Sequence, residues 1–168
     1  MAVVAGADAG LRAAKRATIL QLRAPELTAG ALEAAASELV GSSPVPVLLS
    51  SRCDLVLASG AAGVNLPERD IEVDDARVIV GARFIGRSVH SLDSALRAER
   101  QGADFVIFGP VWSSPSHSDS RPAGVKELAA VARSLRIPVI AIGGVTEERI
   151  AECHDAGAAG YAAIRLFQ

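Results

Sequence analysis

Short apolar runs alternate with amphipathic stretches from one end of this chain to the other, and that alternation restricts the fold more than any other feature. The runs fall at residues 17–22, 45–49, 63–66, 83–87, 104–108, 138–142 and 160–164. Helical patterns separate them at 31–40, 52–59, 74–80, 92–101, 125–135 and 146–156, with one more ahead of the first run. Runs such as Phe105-Val-Ile-Phe108 and Val139-Ile-Ala-Ile142 lack apolar–polar alternation. Strands of a parallel sheet look like this, because helices cover one face and packed side chains fill the other.

Gly-Ala dipeptides recur where a helix hands over to a strand, at Gly60-Ala61, Gly81-Ala82, Gly102-Ala103 and Gly157-Ala158. Glycine ends a helix in the left-handed conformation, and the small residue after it permits close approach to the next strand. Both a closed barrel and an open doubly wound sheet use such an array. No G-x-G-x-x-G turn follows the first run, so the closed (β/α) barrel is the expected architecture. With seven runs, the expectation is a TIM-type barrel of seven parallel strands that lacks its first strand. The open seam would then be covered by the N-terminal segment or by a second copy of the chain, since bare strand edges invite pairing.

The 168 residues suit one domain spanning 1–168. Hydrophobic residues make up 50% and the mean hydropathy is +0.31, without a run long enough to span a bilayer. A net charge of −2 gives no footprint for nucleic acid. Without a basic, apolar leader at the N-terminus, the expected location is cytoplasmic. Cys53 and Cys153 form no metal or redox motif and read as core thiols.

In such a barrel the chemistry sits at the carboxyl ends of the strands. The residues there are Gln21-Leu-Arg23, Ser50-Ser-Arg52, Leu66 to Asp70, Arg87-Ser-Val-His90, Gly109-Pro-Val-Trp112, Gly143-Gly-Val145 and Arg165. Gly143 and Gly144, leading into a helix expected near Thr146, are a candidate phosphate turn, because glycine lets backbone N–H groups approach an anion. Arg165 could add a charge-assisted contact to the same phosphate. The polar loop after Trp112 contributes Ser114, Ser116 and His117 as candidate anion donors. His90 reads first as a packed or capping residue, with acid or base as the other reading, and His154 reads as structural.

These blocks, in this order, resemble the thiamine phosphate synthase and thiazole tautomerase superfamily, with the similarity running from about Leu11 to the C-terminus. Gln21-Leu-Arg23 matches the family's Q-L-R, and the stretch from Cys53 to Leu66 matches D-L-A-L-x-x-G-A-x-G-V-H-L. Asp70 falls on the acidic position that follows it. The stretches Ile85 to Ser91, Gly102 to Trp112 and Pro138 to Gly144 match I-G-x-S-x-H-S, G-A-D-Y-x-x-x-G-P-x-F and P-V-x-A-I-G-G.

The resemblance implies binding of a thiazole phosphate or thiamine phosphate, and coupling of the thiazole phosphate to hydroxymethylpyrimidine diphosphate with Mg²⁺ assisting pyrophosphate release. It places Arg23, Ser88 and His117 as candidate catalytic residues and Asp70 as a candidate Mg²⁺ ligand. It assigns ligand binding to Gln21, Arg23, Ser50, Ser114, Ser116, Gly143, Gly144, Ile164 and Arg165. The chain departs from the family at the diphosphate side. Ala24-Pro25 stands where Glu-Lys is expected and Ser50-Ser51 where Asn-Asp is expected. His117 takes the place of the anion loop's lysine, and Arg165 that of a serine. Pro110 occupies the tautomerase branch's histidine position, leaving His90 or His117 as a relocated base. The alternatives to a synthase with a degraded diphosphate site are therefore a non-catalytic phosphate-ligand binder or regulator, and a tautomerase with a relocated base.

Overall fold

Three residues at the amino terminus, Ala2–Val4, form the strand that the apolar pattern had left out. The computed structural model describes residues 1–113 and 121–168. The strands are β1 (Ala2–Val4), β2 (Leu20–Leu22), β3 (Val47–Ser50), β4 (Gly63–Leu66), β5 (Phe84–Val89), β6 (Phe105–Phe108), β7 (Val139–Ile142) and β8 (Gly160–Ala162). Between them lie α1 (Ala7–Ala13), α2 (Ala29–Ser42), α3 (Cys53–Ser59), α4 (Val73–Val80), α5 (Leu92–Arg100), α6 (Val125–Ser134) and α7 (Ile150–Asp155).

All eight strands are parallel and pair in sequential order. A parallel bridge between Ala2 and Ala163 joins the last strand to the first, with Val3 N donating to Ala163 O at 3.0 Å and Ala163 N to Met1 O at 3.2 Å. The expected count of seven strands is thus corrected to eight, and the first strand is present. A three-residue run carries too little pattern to be read alone. Here its register is imposed by the neighbours β2 and β8. Because the N-terminal segment closes the seam within the chain, the seam gives no reason for a second copy.

Strand register sorts the side chains into two sets. On one face, Val4, Leu22, Leu49, Val64, Ile85, Val106, Phe108 and Ala141 pack with Ala36, Leu39, Val56, Ala76, Ala95, Leu128, Val131 and Cys153 of the helices. This is the core of the barrel wall. Val3 pairs with Gln21, Gln21 with Leu48, Ser50 with Asn65, and Ser88 with Ile107, so these residues occupy the other face, toward the barrel interior. The interior is therefore apolar toward Val3, Leu48 and Ile107 and polar along part of β2 to β5.

Local signals set the helix ends. The Ser91 hydroxyl accepts from Ser94 N and the Ser94 hydroxyl accepts from the backbone of Ser91, a reciprocal cap that starts α5. Gly63 lets β4 approach β5, since a Cβ there would lie 2.1 Å from the Phe84 carbonyl oxygen. One helix differs from its expectation. The stretch after the Gly-Gly turn opens as a 3₁₀ turn, Glu147–Arg149, and only then becomes the six-residue α7. At the other end, Arg165–Phe167 forms a 3₁₀ turn whose Phe167 stacks on Tyr161 at 6.3 Å.

Candidate functional site

Four polar side chains from four successive strands meet on the interior face. Gln21 Nε2 donates to Ser50 Oγ at 2.6 Å, and Asn65 Nδ2 donates to Ser88 Oγ at 3.0 Å. Gln21 and Asn65 are each only 3% exposed, and among the described residues nothing donates to Gln21 Oε1 or Asn65 Oδ1. A buried carbonyl oxygen without a partner costs about 1–3 kcal/mol, so two of them on the interior face invite a ligand or water carrying N–H or O–H donors. Glycine is required at position 86 because the Phe105 ring and Asn65 Oδ1 fill the space a side chain would take: a Cβ there would lie 2.2 Å from the ring and 2.8 Å from Oδ1.

The expected phosphate turn has the conformation that only glycine accepts easily. Gly143 and Gly144 have φ of +94° and +68°. A Cβ on Gly143 would sit 2.6 Å from Pro110 Cα and Cβ, and one on Gly144 would sit 2.7 Å from Ser113 O. The loop after β6 is laced to this turn. Val111 N donates to Ile142 O at 2.9 Å and Trp112 N to Gly143 O at 3.0 Å. Arg149 completes it, with Nη1 donating to Gly144 O at 2.7 Å and the guanidinium 5.1 Å from the Trp112 ring centroid.

The diphosphate side is thinner. Ser51 holds a left-handed φ of +64°, the one non-glycine residue to do so among the described residues. Asp70 Oδ1 accepts from Ile71 N at 2.8 Å. The loop that carries Asp70 is fixed from outside by Arg87, whose Nη1 donates to Ile71 O at 2.6 Å and Nη2 to Glu68 O at 3.0 Å. Burial pushes the Cys53 thiol pKa up, and the charges of Asp70 and Asp54 push it further. Among the described residues no three His, Cys, Asp or Glu side chains group as a metal site. Asp70 alone does not make a preformed Mg²⁺ cage, and the ion would depend on a ligand's phosphates for its remaining coordination.

The other expected residues are placed as follows. Arg23 is exposed directly after β2, where its backbone N–H donates to Val4 O at 2.8 Å. Ile164 and Arg165 are exposed at the end of β8, Arg165 opening the terminal 3₁₀ turn. Ser114, Ser116 and His117 lie outside the described residues. His90 pairs its Nδ1 with the Gly109 carbonyl, linking the ends of β5 and β6. Exposed His154 lies edge-on to Tyr161.

Sequence reasoning named neither Asn65 nor Arg149 as a site residue. The signals were a polar residue inside Gly63-Val-Asn-Leu66 and a cation five residues beyond Gly144. A cleft of about 490 Å³ also lies outside the barrel wall, lined by Glu68, Glu72, Arg87, Arg97 and Gln101 among others. Glu72 in it is already engaged, paired with Arg97 at 2.6 Å and accepting from Gln101 Nε2 at 2.8 Å, so the interior face and the rim above it are the candidate site.

A parallel eight-stranded barrel with a Gly-Gly turn at the carboxyl end of β7 has the architecture of phosphate-handling (β/α) barrels. The family described as thiamine monophosphate synthase matches residues 4–167, and the chain belongs to that family. A putative thiamine-phosphate synthase of Geobacter sulfurreducens is 40% identical over 98% of this chain and 77% of its own length. Putative thiamine-phosphate synthase 2 of Aquifex aeolicus is 40% identical over 72% of this chain and 65% of its own. The chain thus spans less than two thirds of the Aquifex relative. The thiamine phosphate pyrophosphorylase of Pyrococcus furiosus superposes with a TM-score of 0.89 at 28% identity, covering 97% of this chain and 84% of that one. A 3-hexulose-6-phosphate synthase shares the fold at a TM-score of 0.75 and 18% identity.

Proposed function

We propose that this chain binds a thiazole phosphate at the Gly143-Gly144 turn and an aminopyrimidine over the Gln21 and Asn65 layer, and that it joins them slowly, as a thiamine phosphate synthase with a weakened diphosphate site. The observation that carries the reading is the pair of buried, unpartnered amide oxygens, Gln21 Oε1 and Asn65 Oδ1. Such acceptors suit the amino group of a flat heterocycle, which explains polar side chains in an otherwise apolar barrel interior.

In this reading Ser50 and Ser88 hold the two amides, fixing which atom of each faces the ligand. The Gly143-Gly144 turn takes the phosphate through backbone N–H groups. Arg23, exposed beside the rim, faces the charge that develops on a departing diphosphate. Mg²⁺ would neutralise that charge when bound through the diphosphate and Asp70. The missing lysine and carboxylate, at Pro25 and Ser51, favour slow turnover over loss of binding. They also keep alive the reading of a phosphate-ligand binder without catalysis.

The test is an assay with hydroxymethylpyrimidine diphosphate, thiazole phosphate and Mg²⁺, run beside calorimetric titration of each ligand. Thiazole phosphate binding with turnover at least 100-fold below an intact family member is expected, since losing one contact to developing charge costs roughly 10²–10³ in rate. Tight binding without any product would select the binder. Equal affinity for phosphorylated and unphosphorylated thiazole would remove the phosphate site.

A further inference from the structure

We infer that Arg149 is the positioning residue of the phosphate turn, and that Trp112, stacked beneath it, reports the turn's occupancy. The inference deepens the reading above and rests on the Gly143-Gly144 turn being the phosphate cradle. Three consecutive carbonyls of this turn are held. Ile142 O accepts from Val111 N at 2.9 Å, Gly143 O from Trp112 N at 3.0 Å, and Gly144 O from Arg149 Nη1 at 2.7 Å. In a planar trans peptide each N–H points opposite to the carbonyl before it. Holding these three carbonyls therefore directs the N–H groups of Gly143, Gly144 and Val145 away from the β6 loop.

Among the described residues nothing accepts from Gly144 N or Val145 N. They are the donors left for an anion. Two of the three carbonyls are held by the backbone of the β6 loop, which no side-chain change can remove. The third depends on one side chain, and it controls the peptide that carries the Val145 N–H. Arg149 is half-buried, its guanidinium held over the Trp112 ring while Nη1 donates to Gly144 O. Arg149 also brings a full positive charge to the rim at the phosphate end, in a chain whose diphosphate side has lost its lysine.

Trp112 is the single tryptophan of the chain. Its emission therefore comes from one place, a ring covered by the cation that orders the phosphate turn. Any ligand that shifts Gly144 or Arg149 changes that ring's surroundings.

The experiment compares wild type, R149M and R149K by calorimetry and Trp112 fluorescence, with thiazole phosphate, the unphosphorylated thiazole and inorganic phosphate as probes. Methionine keeps the stem and loses both donors and charge. Lysine keeps the charge and one donor, so it should recover part of the affinity and keeps the test readable if R149M does not fold. R149M is expected to weaken thiazole phosphate about tenfold, the usual weight of one charge-assisted hydrogen bond, while the unphosphorylated thiazole changes less than twofold. In turnover the loss should fall on the KM for thiazole phosphate. Trp112 emission should shift on phosphate binding in the wild type.

Unchanged thiazole phosphate affinity in R149M would overturn the inference, as would an equal loss for both thiazoles, which would mark Arg149 as structural alone. If wild type does not prefer the phosphorylated thiazole, the proposed function fails separately. Inorganic phosphate then decides the role of Arg149: weaker binding to R149M sustains it, and equal binding or none in the wild type rejects it.

Discussion

Ser51 shows how a single residue can carry both a conformational and a chemical consequence. Its φ of +64° is a conformation that Asp and Asn adopt at less cost than Ser, because a short polar side chain with a carbonyl oxygen bonds locally to the backbone. Ser51→Asp should therefore fold with a melting temperature no lower than wild type. It should also raise Mg²⁺-dependent turnover by supplying a second carboxylate near Asp70. A turnover that stays flat as Mg²⁺ is titrated would mean that the lost lysine matters more. Asn65→Leu tests the interior acceptors from the opposite direction. Removing an orphaned oxygen should hold or raise stability by up to about 1 kcal/mol in urea unfolding, while pyrimidine binding falls. The thiols offer a third check, since burial raises the pKa of both Cys53 and Cys153 and so disfavours the reactive thiolate. At pH 8 iodoacetamide should label neither in the native protein and both after unfolding, as read by mass spectrometry.

At the scale of elements, the site is held by pairs of loops. The β6 and β7 loops are laced through Val111, Trp112 and Arg149, and the loop after β4 hangs on Arg87 of β5. Arg87 is 6% exposed and points to the helix side of the wall, where its guanidinium donates to the carbonyls of Glu68 and Ile71 on either side of Asp70. Arg87→Met should cost about 2 kcal/mol or more, because those carbonyls lose a charged donor. Equilibrium unfolding in urea measures this, and a change within 0.5 kcal/mol, the usual range of a surface substitution, would show that water replaces the guanidinium. Helices and strands of this kind were readable from the chain, since each interior apolar run and each Gly-Ala handover coincides with an observed junction. The 3₁₀ opening of the last helix was not. It goes with the tie of Arg149 back to Gly144, a contact that no periodicity encodes.

For the whole molecule, closure is the decisive event. Eight strands leave no free edge once Ala2 meets Ala163, whereas loss of β1 would expose the edges of β2 and β8. Val3→Pro removes the N–H that donates to Ala163 O at 3.0 Å and should open the seam. Concentration-dependent association in sedimentation, with a broadened thermal transition, is the expected outcome. A monomer that melts like wild type would show that β1 adds little. By itself the sequence determined the parallel (β/α) array, the order of seven strands and the Gly-Gly turn. Those rest on local periodicity, helix-ending glycines and motif spacing, each contained in a few neighbouring residues. Tertiary structure alone decided the eighth strand, the partnering of Gln21 with Ser50 and of Asn65 with Ser88, and the clamp of Arg149 over Trp112. Each of these joins residues far apart in the chain, and strand register rather than local preference fixes which groups meet.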